Sequence, residues 1–224
     1  MITMQEWKAM SGKEQTLWLE ENCKVNGLGS PRKPLFGAGV NDAPYCNRPI
    51  IDGKQAECPA RTAWHNMLKR AYSSKYHAER PTYSGVTVCD EWHSFMSFRG
   101  WWIENHVDGW QIDKDLLSDA ACYSPDTCLF VPAWLNSFTT DSGAIRGAHP
   151  IGVYFRKDMG VFHARCCNPM SKKQDHLGYF DTPEEAHLAW LKRKLELAIE
   201  LKPKMDEIDM RIYPRVIEII NSTK

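Results

Sequence analysis

Apolar residues in CPARTAWHNMLKRAYSSKY fall at Trp64, Met67, Leu68 and Tyr72, on one face of a helix that Pro59 is placed to start. In EWHSFMSFRGWWIEN, Trp92, Phe95, Phe98 and Trp102 recur at three- and four-residue steps, so the spacing predicts a second helix with an aromatic core face. Ser11 and Glu14 have the spacing of a capping box ahead of Leu17, Trp18 and Leu19, which predicts a short helix from about Gly12. GLGSPRKPLFGAGVNDAPY, rich in glycine and proline, reads as irregular. Ser84-Gly85 is a turn before a short strand, Val86 to Cys89. Further on, strands are expected at Gln111–Asp115 and Thr127–Val131, followed by a helix from Pro132.

The period then changes. IGVYFRK, VFHARCCN and KQDHLGYF read as three short strands separated by turn residues. DTPEEAHLAWLKRKLELAIELK is a long amphipathic helix, opened by Asp181 or Thr182 with Pro183 in its first turn. Pro203 is expected to interrupt it, and Met205 to Ile220 forms a last helical piece. Between the two halves, TTDSGAIRGAHP has the composition of a linker and sets a boundary near 141–148. The expected fold class is α+β. The division is an N-terminal helix and irregular segment (1–57), a mixed domain (58–142), a three-strand-plus-helix domain (143–202) and a helical tail (203–224). There is no internal repeat.

Composition narrows the class without deciding it. The chain has 224 residues, of which 43% are hydrophobic and 25% charged, enough for one large core or two small ones. No apolar run is long enough to span a bilayer, so no membrane partner is expected. The stretch MITMQEWKAMSGKEQ has neither a basic nor an apolar leader region, so the expectation is a cytoplasmic protein. The eight cysteines show no paired C-x-x-C spacing and read as buried thiols, which leaves structural Zn²⁺ as a lesser option through Cys58, Cys89 and Cys128. A formal net charge of zero argues against a broadly basic surface but says nothing against a local basic face.

Chemistry concentrates in QIDKDLLSDAACYSPDTCLFVPAWLN, residues 111–136. A strand, a loop, a second strand and a helix that returns one polar side chain to the first strand is a layout for holding a metal ion. On the C-terminal sheet, strand alternation sets Tyr154 and Arg156 on the face opposite Val153 and Phe155, exposes Arg165 beside His163, and gives Gln174 and His176 a shared face. Side chains of these types reach phosphates and base edges.

Two family resemblances follow. Gly152-Val153, Gly160-Val161-Phe162, Ala164, Leu177 through Thr182, Glu184-Glu185-Ala186 and Ala189-Trp190 closely resemble the APETALA/ethylene-response-factor (ERF) type of DNA-binding domain. In that family the sheet lies in the DNA major groove and the helix braces its other face. The resemblance therefore implies a double-stranded DNA partner and DNA contacts from Tyr154, Arg156, His163, Arg165, Gln174 and His176. Plant members carry more arginines where Tyr154, Cys167 and Gln174 stand here.

Residues 64–136 resemble phage-type HNH (ββα-metal) nucleases, often homing endonucleases, which frequently carry this same C-terminal module. The shared positions are Trp64, Met67 and Arg70, then Tyr83 to Val86 and Val88 to Trp92. They continue with Ile112 to Asp115, Tyr123 to Cys128, and Asn136. The resemblance implies a divalent-metal-dependent endodeoxyribonuclease, with Asp113 and Asn136 as ligands of Mg²⁺ or Mn²⁺. Lys114 stands where the namesake histidine usually activates water. By the resemblance Lys114, Tyr83 and Arg70 are the catalytic candidates: Lys114 to hold phosphate or act as base, Tyr83 to orient or deprotonate water, Arg70 to clamp phosphate. His65, His93 and Asp115 are accessory candidates, and Tyr123 is expected to shape the YSP turn. The expectation is a homing or restriction-like endonuclease in the cytoplasm, or the host cytoplasm if phage-encoded, with a homodimer compatible. The other reading is a DNA-binding protein on a decayed, inactive nuclease fold.

Overall fold

The structure, a computed structural model, describes residues 2–25, 33–140 and 149–223. The chain divides into two compact units, Met1–Phe130 and Val131–Lys224. The expected linker at 141–148 lies outside the described residues.

The first unit opens with α1 (Met4–Ala9) and α2 (Gly12–Asn22), each started by a full capping box, Thr3 with Glu6 and Ser11 with Glu14. The expected helix is α2; α1 was not anticipated. Within the stretch read as irregular, a small hairpin pairs β1 (Ile50–Ile51) with β2 (Lys54–Gln55) around Asp52 and Gly53, both in the left-handed region. Then come α3 (Pro59–Tyr72), started at Pro59 as expected, and α4 (Ser74–Glu79). After a 3-10 turn at Pro81–Tyr83 follow β3 (Thr87–Val88) and a second 3-10 turn at Asp90–His93. The unit continues with α5 (Phe95–Asn105), β4 (Gln111–Asp113), β5 (Cys122–Tyr123) and β6 (Leu129–Val131).

The aromatic helix expected from Glu91 is in fact two elements. Ser94 caps α5, its hydroxyl accepting from the Ser97 N–H at 3.1 Å, so the helix starts afresh at Phe95. Its stripe is core, with Trp64, Trp92, Phe95, Phe98 and Trp102 all under 2% exposed. The Trp64 indole N–H donates to the Trp92 carbonyl at 2.7 Å, which satisfies the only polar atom that side chain buries. β4 stops at Asp113, two residues short of expectation, because the Asp113 carboxylate captures the N–H groups of Asp115 and Leu116, both at 2.8 Å. Two-residue β5 pairs in parallel with β3, Thr87 opposite Cys122 and Val88 opposite Tyr123; the other short ladders are β1–β2 and β4–β6.

The second unit contains α6 (Ala133–Thr139) and a three-stranded antiparallel sheet of β7 (Val153–Arg156), β8 (Val161–Cys167) and β9 (Gln174–Phe180). It ends in α7 (Pro183–Asp206) and α8 (Ile212–Ser222). Thr182 caps α7, with Pro183 in the first turn and Glu184 and Glu185 set against the positive helix end. Small residues let α7 lie close to the sheet: Ala164 and Ala186 are fully buried, and at Gly152 (φ +80°) a Cβ would stand 2.1 Å from the Trp190 ring. Pro203 does not end α7. It falls in the last turns, where it removes one hydrogen bond from the carbonyl of Ile199, which is itself exposed, while Leu201 and Met205 on either side are buried. The tail is α8, shorter than expected, packed on α7 through buried Ile212, Val216 and Ile220. The protein is thus a mixed α+β fold with its C-terminal sheet backed by a long helix. No helix among the described residues is long and apolar enough to cross a membrane.

Candidate functional site

In the first unit, Tyr123 is the point at which the expected catalytic residues meet. It is buried on β5, and the guanidinium of Arg70, from the last turn of α3, acts electrostatically on its hydroxyl. The Lys114 ammonium lies 5.7 Å from the centre of the Tyr123 ring. Tyr83, from the turn before β3, lies within electrostatic range of both Arg70 and Tyr123 and packs edge-on against Tyr76 at 5.4 Å. Burial pushes the Tyr123 phenol well above its ordinary range, although Arg70 opposes the shift. Tyr123 therefore stays neutral, positioning Arg70 and Lys114 and having no tendency to ionise. Sequence reading gave it only a turn-shaping part, because a buried hydroxyl partnered by a distant arginine leaves no local signature.

Asp113 and Lys114 sit at the end of β4. Burial raises the Asp113 pKa, against the lowering effect of the two backbone N–H groups held by its Oδ1. Its Oδ2 takes no hydrogen bond among the described residues. A half-buried carboxylate with one oxygen committed to the backbone and one uncommitted suits a hard divalent cation, whose charge would offset the burial. Lys114 is 6% exposed and ion-paired with Asp115, so its charge is drawn toward that carboxylate, and loop capping falls to Asp113 instead of Asp115. Asn136 lies on α6 in the second unit, where its main-chain carbonyl accepts from the N–H of Thr140 at 3.1 Å. His93 is engaged by the Tyr72 hydroxyl at 2.8 Å, and His65 is tilted against Phe36.

A zinc site from Cys58, Cys89 and Cys128 does not fit. All eight cysteines are free, and no group of three or more His, Cys, Asp or Glu side chains among the described residues is arranged to hold a metal. Cys58 is buried against the Thr16 hydroxyl, and burial pushes the Cys128 thiol up to about 12.

The second unit gathers all six expected sheet residues on the face opposite α7. Tyr154 pairs with His163, and His163 with Tyr179; Arg165 pairs with His176, and Cys167 with Gln174. The Arg165 guanidinium stacks 4.1 Å from the Tyr154 ring centre, and its Nε is buried with no hydrogen-bond partner. Arg156 is held by both oxygens of Asp158, at 2.9 and 2.7 Å, and reaches the Tyr179 hydroxyl at 3.5 Å. His163 is hydrogen-bonded to His176, its Nε2 against the partner's Nδ1. Burial, then His176, Arg165 and Arg156, lower the His163 pKa. Tyr179 was not anticipated here. A register shift between Ala164 and Arg165 places Leu177 as the extra residue of β9, so His176 and Tyr179, three positions apart, share one face.

Compared with protein-family models, curated proteins and solved structures, the chain matches none.

Proposed function

We propose that this chain is a divalent-metal-dependent DNA endonuclease of the HNH type, brought to duplex DNA by an APETALA/ERF-like C-terminal module. The observation that carries the nuclease reading is the convergence on Tyr123 of Arg70, Tyr83 and Lys114, from three separate stretches, next to a half-buried Asp113 with one uncommitted oxygen. That is a cationic setting beside a candidate cation ligand, which suits stabilisation of the charge that develops when a phosphodiester is hydrolysed. Asp113 is the residue of the first unit proposed to hold Mg²⁺ or Mn²⁺, which would stabilise the charge on the cleaved phosphate and its leaving oxygen. Arg70 binds a phosphate oxygen through its planar N–H edge. Lys114 adds positive charge and holds the loop through Asp115. Tyr83 is the group placed to orient the attacking water. The DNA-binding reading rests on the single cationic and aromatic face of the sheet.

A second reading, a DNA-binding protein that does not cleave, is favoured by one observation: the Lys114 charge is buried and matched by Asp115. Supercoiled plasmid incubated with the purified protein distinguishes the two. Nicking with Mg²⁺ or Mn²⁺ and none with EDTA is the expected result. Retarded but intact plasmid under every metal condition would favour the second reading.

A further inference from the structure

We propose that His163 and His176 form a proton-coupled phosphate site at the centre of the open sheet face, so that duplex DNA docks there with uptake of about one proton. This rests on the reading that the face binds DNA. The two rings stand side by side on β8 and β9 and are hydrogen-bonded nitrogen to nitrogen, so at this junction one proton serves two basic atoms. The ring centres are 4.4 Å apart, and Tyr179 lies against both, at 5.0 Å from His163 and 5.1 Å from His176.

A second proton is opposed in the free protein. Burial acts first against a charged His163, and His176 and the cationic Arg165 and Arg156 add to it. From β7 the pair meets Arg156 and Tyr154; from β8, Arg165; from β9, Gln174 and Tyr179. The carboxylate nearest this set, Asp158 in the β7–β8 turn, is chelated by Arg156. Asp175, at the far end of β9, turns to the other face and pairs with Arg193 of α7. The face therefore lacks the negative charge that would settle a charged histidine pair.

A phosphate supplies it. An anion within about 4–6 Å of an imidazole favours its charged form, and a group whose pKa rises on binding takes up a proton as the complex forms. Arg165 points to the same ligand independently. Its guanidinium is held by the Tyr154 ring and by no carboxylate among the described residues, which leaves its planar N–H edge for a phosphate. Arg165 and the histidine pair are neighbours across the β8–β9 ladder, so one phosphate can answer both.

The test uses the full chain and a short rhodamine-labelled duplex of mixed sequence, with anisotropy titrations at fixed low salt from about pH 7.5 to about pH 6.0. Affinity should tighten about ten-fold over that range for the natural protein, and about two-fold or less for His163→Gln/His176→Gln. Equal tightening in the variant would overturn the histidine site while leaving DNA binding intact. Absence of binding at any pH in the natural protein would overturn the DNA-binding reading itself. Should the double variant fail to fold, calorimetry of the natural protein with the same duplex, in two buffers of different ionisation enthalpy, decides the matter. Uptake approaching one proton supports the site, and uptake near zero overturns it.

Discussion

Tyr123 and Lys194 each show how one buried side chain sets the behaviour of its neighbours. The charged Arg70 guanidinium acts on the buried Tyr123 hydroxyl, so the two side chains should be energetically coupled. A double-mutant cycle with Arg70→Met and Tyr123→Phe, followed by urea denaturation, should return a coupling of about 1 kcal/mol or more; additivity would remove Tyr123 from the site. Lys194 has its ammonium 3.7 Å from the Phe138 ring centre, and burial lowers its pKa from 10.5 to about 8, against the raising effect of Cys166 and Cys167. The unfolded chain thus binds more protons than the folded one between those two values, so stability rises with pH across that window and the penalty is complete below about pH 8. Burial also raises Cys166 from 9.0 to about 11, which makes stability fall with pH above about 9. Cys128, raised to about 12, acts in the same sense, so the rise of about 1 kcal/mol from Lys194 between about pH 8 and pH 9 is read as a difference against a variant that lacks the lysine. Urea titrations should show Lys194→Met more stable than the natural protein at pH 7, with that advantage shrinking by about 1 kcal/mol between pH 8 and pH 9.

At the scale of elements, α7 on its sheet and the start of α5 are the most exposed to single changes. Gly152→Ala meets both a positive φ and the Trp190 ring, so a loss of about 2 kcal/mol or more is expected in thermal or urea unfolding. Ser94→Ala should cost about 1 kcal/mol through its lost cap. The elements legible from sequence are those that carry their own boundary chemistry: α2 with its Ser11 box, α3 with Pro59, α7 with Thr182 and Pro183, and three strands set off by turns. Those missed depend on distant partners. Cys122–Tyr123 is a strand only because it pairs with Thr87–Val88, and α7 passes Pro203 because Leu201 and Met205 are buried around it. The candidate DNA face was legible by alternation as far as His176. Beyond it the register shift reverses the parity, which hid Tyr179. The site around Tyr123 was legible in its charged members but not in the residue they share, since burial and long-range contact leave no periodic trace.

For the whole molecule, the proposed tasks fall to separate units: the first carries Asp113 and the groups around Tyr123, the second the open sheet face. Changes in one should leave the other's activity in place, and Asp113→Asn puts that to the test with little structural disturbance. The amide oxygen can still accept the Asp115 and Leu116 N–H groups, so the turn is kept while the negative charge is removed. The deciding measurement compares the natural protein and Asp113→Asn on supercoiled plasmid with Mg²⁺ or Mn²⁺, alongside anisotropy binding to a labelled duplex with EDTA. The account predicts nicking by the natural protein, at least a hundred-fold slower nicking by Asp113→Asn, and duplex affinities within about two-fold of each other. Undiminished nicking by Asp113→Asn, or nicking by the natural protein that persists in EDTA, would contradict it.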